Sequence, residues 1–270
     1  MFKDEYGPWC VIFGGSEGIG AAFARDIAAR GVNVYLMARK PEPLTELAAE
    51  IRATSPSAEV RILSIDLATE DAVARIESAT AELEVGFIIY NAGAETSYGD
   101  FLAHDWTFLH GRLMRNFVVQ AKLVHHFGRE MRVRKRGAVI LMGSYAGFFG
   151  SPGFALYAAS KAFTHYLAEG LWYELKQDNV DVLCPILGPT DTPAMVKAWG
   201  PMTGHKTDPA YVAEGALARL KHGPIWVVDD IAEQINALSA MQPAERATMA
   251  AQMAIDFVNQ HKQPASTGDS

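Results

Sequence analysis

Tyr157 and Lys161, four residues apart, are the side chains of this 270-residue sequence best placed to do chemistry. They sit in Phe154-Ala-Leu-Tyr-Ala-Ala-Ser-Lys-Ala-Phe-Thr-His-Tyr-Leu167, an alanine-rich run without Pro or Gly that predicts a helix over 155–177. Positions i and i+4 share a helix face, so the phenol and the ammonium should project to one side. A free phenol titrates near pH 10 and is a poor acid–base group at neutral pH, but a neighbouring cation favours the phenolate. Lowering that value by roughly 3 pH units takes about 4 kcal/mol of differential stabilisation. A partly desolvated cation with hydrogen bonds can supply that much. In isolation such a pair describes a solvated helix face, so the surrounding elements decide.

Those elements alternate. Short apolar strands are expected at 9–13, 33–37, 59–65, 85–90, 138–142, 180–184 and 225–228. Helices are expected at 18–30, 43–54, 70–82, roughly 104–132 and 155–177, and again from Asp208-Pro209, an N-cap followed by the first helical residue. Residues 188–207, with six Pro or Gly, read as a loop. Nearly wholly apolar strands separated by amphipathic helices predict an α/β fold, a doubly wound parallel seven-stranded sheet of the Rossmann type. Its ligand crevice lies beyond the carboxyl ends of the strands. No linker interrupts the alternation. The expected organisation is one domain over 1–230 that includes the 188–207 loop, a helical C-terminal extension of it over 231–262, and a polar tail over 263–270.

Composition narrows the function. Hydrophobic residues make up 49% and charged residues 20%, and the net charge is −7, so no basic excess exists to neutralise nucleic-acid phosphates. The basic run Arg129–Arg136 reads as a solvated helix end. Cys10 and Cys184 fall in expected buried strands, which fits a reducing compartment. The polar start, Met1-Phe-Lys-Asp-Glu-Tyr, gives no targeting signal, and no apolar run approaches the length of a membrane span. A cytoplasmic location without a membrane span is therefore expected.

The first strand runs into Gly14-Gly-Ser-Glu-Gly-Ile-Gly20 and then a helix. This is the order in which a glycine turn brings backbone and a helix N-terminus against a pyrophosphate. Gly14, Gly18, Ile19 and Gly20 are the candidate contacts. An acid at the end of the second strand would bind the ribose 2′-hydroxyl, whereas an arginine accommodates a 2′-phosphate. The sequence there is Ala38-Arg39-Lys40. Arg39 is read as the phosphate clamp, aided by Ser16 and Lys40, with Glu17 as an unfavourable neighbour. NADP(H) is favoured, and NAD(H) is the alternative.

The glycine turn, Asn91-Ala-Gly93 after the fourth strand, Ser144 after the fifth, and Tyr157-x-x-x-Lys161 together resemble the short-chain dehydrogenase/reductase family over about residues 8–230. Ser144 stands thirteen residues before Tyr157, the family's usual spacing. The resemblance implies that Tyr157 is the general acid in reduction and the base in oxidation, and that Lys161 lowers its pKa and holds the nicotinamide ribose. It further implies that Ser144 hydrogen-bonds the substrate oxygen and that Asn116 anchors a water in the proton relay. Asp66 and Leu67 would contact adenine, Asn91, Ala92 and Gly93 the cofactor ribose, and Thr192 the carboxamide. The activity implied is hydride transfer between a cofactor and an alcohol or ketone, with no metal; a non-catalytic NADP(H)-binding sensor is the competing class. A homodimer or homotetramer is the expected assembly. The sequence departs from the family pattern at Phe13, Tyr90 and Leu187.

Tyr145, Phe148, Phe149, Phe154, Met195 and Trp199 cluster in the segments bordering the crevice, and suit a hydrophobic, aromatic or steroid-like substrate. His104, His110 and His205 lack metal-ligand spacing. Ile231, Ile235 and Leu238 should pack on the sheet or a subunit, while Met241, Met249 and Met253 read alternatively as a substrate cover.

Overall fold

The computed structural model describes residues 2–94, 96–200, 207–228 and 231–261. His205 and the 263–270 tail lie outside the described residues. Seven parallel strands form one sheet: β1 (Trp9–Phe13), β2 (Asn33–Ala38), β3 (Val60–Ser64), β4 (Val85–Tyr90), β5 (Gly137–Leu141), β6 (Val180–Ile186) and β7 (Ile225–Val227). Their order is β3-β2-β1-β4-β5-β6-β7, so the winding reverses between β1 and β4 and opens a crevice at their carboxyl ends. Side chains alternate between two cores. Cys10, Ile12, Leu36, Ile89 and Ile140 face one side, and Val11, Phe13, Met37, Ile88 and Leu141 the other. The central strands are buried on both faces, whereas β3, at the edge, alternates between buried and exposed.

Helices α2 (Gly18–Ala29), α3 (Pro41–Thr54) and α9 (Pro209–Ala218) cover the first face. Helices α4 (Ala72–Thr80), α6 (Gln120–Arg134) and α7 (Ala155–Lys176) cover the second. Asp208 caps α9 as expected, its carboxylate accepting the Ala210 N–H at 2.8 Å.

Several expectations need correcting. The N-terminal residues, given no element from the sequence, form a short helix, α1 (Phe2–Tyr6), fixed by the buried Tyr6, whose hydroxyl donates to Asp181 at 2.8 Å. The 188–207 stretch is not all loop, because Pro193–Trp199 forms helix α8, capped by Thr192, whose hydroxyl accepts the Met195 N–H. The basic run is not simply solvated. Arg132 and Lys135 both pair with Asp178, Arg136 pairs with Glu84, and together they tie the end of α6 to the chain before β6 and β4. The long helix expected at 104–132 divides into α5 (Trp106–Leu113), a π-helical turn (Met114–Val119) and α6.

Tyr90, one of the departures, explains what holds that wide turn. Its buried hydroxyl donates to the carbonyl oxygen of Arg115 within it. Phe13, a second departure, packs on the same ring with centroids 5.5 Å apart. Residues 231–261 form α10 (Ile231–Ala240) and α11 (Pro243–His261). Ile231 and Ile235 pack on the second core, and Leu238 packs with Phe149 and Ala250. The apolar stripe is thus consumed within the subunit.

Candidate active site

Beyond the carboxyl ends of the strands lies a cleft of about 850 Å³. At one end the glycine turn closes tightly. Gly14 has φ +80°, and a Cβ there would meet the backbone nitrogen of Ala92 at 2.9 Å; a Cβ on Gly20 would stand 2.1 Å from the Gly14 oxygen. Gly18 abuts the methyl of Thr192, and Asn91 ties the turn to β4 by donating to the Gly14 carbonyl at 2.9 Å. Glu17, the N-cap residue of α2, makes no side-chain cap hydrogen bond, so none of its side-chain atoms occupies the first-turn N–H groups. A backbone-lined turn against such a helix start fits the pyrophosphate of a dinucleotide. Ser16, Ile19, Arg39, Asp66, Leu67, Asn91, Ala92, Gly93 and Thr192 all line the cleft. Glu17 is engaged by Lys40 at 3.2 Å. That pairing cancels the acid expected to repel a phosphate, but it also withdraws Lys40 as a helper. Arg39 stays exposed at the end of β2. The Asp66 carboxylate accepts the Ala68 N–H at 2.9 Å and so shapes its own turn. Thr192 presents its methyl to Gly18, while its oxygen caps α8.

At the other end Ser144, Tyr157 and Lys161 line the same wall. The i, i+4 spacing does what it predicts: the Lys161 ammonium lies 5.6 Å from the Tyr157 ring centroid. Lys161 is only 8% exposed, and its nitrogen donates to the Met142 carbonyl at 2.8 Å. Burial pulls its pKa down to about 8, the Arg115 charge acting in the same direction. The Ser144 hydroxyl accepts the Ala146 N–H at 3.3 Å and caps the 3₁₀ turn Tyr145–Phe148.

Asn116 sits in the π-helical turn behind the cleft wall. Its Oδ1 accepts from Arg115 Nε at 2.9 Å and would stand 2.8 Å from a Cβ on Gly93, and its Nδ2 donates to Ser160 at 3.4 Å. The side chain is therefore held inside the protein, away from the cleft surface.

The walls above Tyr157 are apolar, with Tyr145, Phe149, Phe154, Met195 and Trp199 contributing as expected. Phe148 does not contribute; its ring packs on His165 at 4.8 Å. Sequence reasoning missed α11 as the roof, although Met253 belonged to the alternative reading. Ala250, Met253, Ala254 and Phe257 line the cleft, and Phe257 closes on Trp199 at 5.4 Å between ring centroids. Arg112 and Arg115 on the rim were also missed. Among the described residues no group of three or more His, Cys, Asp or Glu could hold a metal ion, and no helix is long and apolar enough to cross a membrane.

A family profile described as short chain dehydrogenase matches residues 8–202. A 7beta-hydroxysteroid dehydrogenase of Clostridium sardiniense is 38% identical over 196 residues, covering 73% of this chain and 74% of that protein. A solved structure described under 7beta-hydroxysteroid dehydrogenase stereoselectivity superposes with a TM-score of 0.85 at 28% identity, over 92% of this chain and 98% of its own. A short-chain dehydrogenase from Sphingobium yanoikuyae, solved in complex with NADPH, superposes with a TM-score of 0.74 at 25% identity, over 97% and 99%.

The buried ammonium gives a pH test. Lys161 titrates lower in the folded state than in the unfolded chain, so between about pH 8 and its ordinary 10.5 the unfolded state binds the extra proton. Stability contributed by this site therefore rises with pH across that window. Relative to Lys161→Met, the wild type should gain up to about 3 kcal/mol between those limits, measured by denaturant unfolding of both proteins. A pH-independent difference would show that the ammonium is not desolvated.

Proposed function

The chain belongs to the short-chain dehydrogenase family and is an oxidoreductase, and from the geometry of its cleft we propose that it interconverts a secondary alcohol and a ketone on a hydrophobic, steroid-like substrate with NADP(H). The observation that carries this reading is the convergence of Tyr157, Lys161 and Ser144 on one cleft wall, between a glycine turn and an apolar chamber. Gly14, Gly18, Ile19 and Gly20 would hold the pyrophosphate. Asp66 and Leu67 would hold the adenine, and Asn91, Ala92 and Gly93 the ribose. Thr192 would border the carboxamide. Arg39, with Ser16, would take the 2′-phosphate. Two things support NADP(H): no acid stands at the end of β2, and Lys40 already neutralises Glu17.

When bound, the cofactor would supply or accept the hydride. The protein's part is the proton and the charge. In reduction the Tyr157 hydroxyl gives its proton to the substrate oxygen as that oxygen becomes negative, and in oxidation it takes the proton back. Lys161 favours the phenolate through its charge. The Ser144 hydroxyl donates a hydrogen bond to the same oxygen. Arg115, beside it in the same π-helical turn, keeps Asn116 fixed. Phe149, Phe154, Met195, Trp199, Met253 and Phe257 exclude water and offer a rigid apolar body the surface it needs. The steroid relatives support this substrate class, and a homodimer or homotetramer is the proposed assembly.

Two measurements test the reading. Tyr157→Phe should abolish turnover of a hydrophobic ketone panel, followed as NADPH absorbance loss, while NADPH binding by fluorescence titration is retained; activity near wild type would remove Tyr157 from the reaction. Arg39→Asp should shift the ratio of kcat/KM values from NADPH towards NADH by on the order of a hundredfold. An unchanged ratio would place the 2′-phosphate contact elsewhere.

A further inference from the structure

The segment carrying Ser144 leaves the sheet in an orderly way. Gly143 N–H donates to the Pro185 carbonyl at 2.9 Å and Tyr145 N–H to the Leu187 carbonyl at 2.9 Å, so the pairing of β5 with β6 continues past the strand. Ser144 lies between them, and its N–H points off this ladder. A buried N–H left without an acceptor is costly. This one donates to Nε2 of His165, at 3.3 Å.

His165 is one step further along the spacing that pairs Tyr157 with Lys161. Each four-residue step turns the helix face by about 40°. The series therefore moves from the cleft wall, at Tyr157, to beneath the serine turn, at His165. The imidazole is 4% exposed. The serine segment has glycines on either side of it. A Cβ on Gly143 would come within 2.9 Å of His165 Nε2, and one on Gly147 within 2.4 Å of its Cε1 and 2.8 Å of the Lys161 backbone. The turn thus closes over the ring, which Phe148 covers at 4.8 Å between centroids. Nε2 can accept only if the ring is neutral with its proton on Nδ1. Burial, with the Lys161 charge adding to it, holds the imidazole down to about 4. Cys184 on β6, across Gly143, is likewise neutral, its thiol pushed up to about 12 by burial.

We propose that His165 is a positioning residue for substrate polarisation: as a neutral acceptor it fixes the backbone of Ser144, and so the direction in which the serine hydroxyl meets the substrate oxygen. This inference rests on the assignment of Ser144 to that oxygen. A displaced polarising group weakens the transition state more than it weakens binding of the remote parts of the ligands.

His165→Leu fills the space without an acceptor, whereas His165→Gln restores an oxygen near the place of Nε2. With saturating NADPH and a hydrophobic ketone, His165→Leu should lower kcat on the order of tenfold to a hundredfold while the NADPH Kd stays within about twofold. His165→Gln should recover most of the loss, and in a Ser144→Ala background His165→Leu should add little. A kcat for His165→Leu within about twofold of wild type, or equal losses in the Leu and Gln variants, would overturn the proposal. If Ser144→Ala itself kept wild-type activity, the serine assignment would fail instead. Nitrogen NMR of the imidazole in the wild-type protein gives a readout that needs no variant. The Nδ1–H tautomer should persist from pH 8 to about pH 5. A proton found on Nε2 would overturn the proposal however the variants fold.

Discussion

A positive charge kept almost out of water governs this architecture. The Lys161 ammonium is buried, and the observed protein acceptor for it is the carbonyl of Met142, the first residue past β5. A buried cation is tolerable only where acceptors or opposite charge meet it. The end of β5 and the second turn of α7 must therefore stay in register. The glycine at 147 lets the intervening turn lie directly on the α7 backbone. Desolvation lowers the pKa of Lys161, and that cost is the counterpart of a cation able to act on the nearby phenol without being dispersed by solvent.

The rest of the cleft follows from topology. Because the winding reverses between β1 and β4, the segments leaving the strands converge on one crevice. One end is built of backbone and small residues and the other of aromatic and methionine side chains. The division suits a polar dinucleotide beside an apolar partner. Helices α8 and α11 close the apolar end through the Trp199–Phe257 contact, so the size of the chamber depends on chain far in sequence from the wall that carries Tyr157.

Much of this was legible in the sequence because it is local. Strand–helix alternation, the glycine turn and the Tyr157–Lys161 spacing each depend on neighbours within a few residues. The parallel seven-stranded sheet and the shared face of the pair came out as read. What stayed hidden depends on contacts between distant segments. The π-helical turn is matched to Tyr90, some 25 residues away, by a single hydrogen bond that no periodicity signals. Phe148 reads like its aromatic neighbours, yet it turns inward onto His165. Glu17 and Lys40 look like opposing influences on a phosphate until their side chains are seen to pair. Helix α8 was obscured by the Pro and Gly around it, and α11 as a roof required the fold.

The central claim is that the Lys161 charge makes Tyr157 competent in proton transfer. The most direct measurement is the pH–rate profile of alcohol oxidation for the wild type against Lys161→Met, with cofactor saturating. The account predicts that the rise in kcat/KM with pH moves to higher pH in the variant by about one unit or more. A profile whose rising limb stays in place, whatever its height, would contradict it.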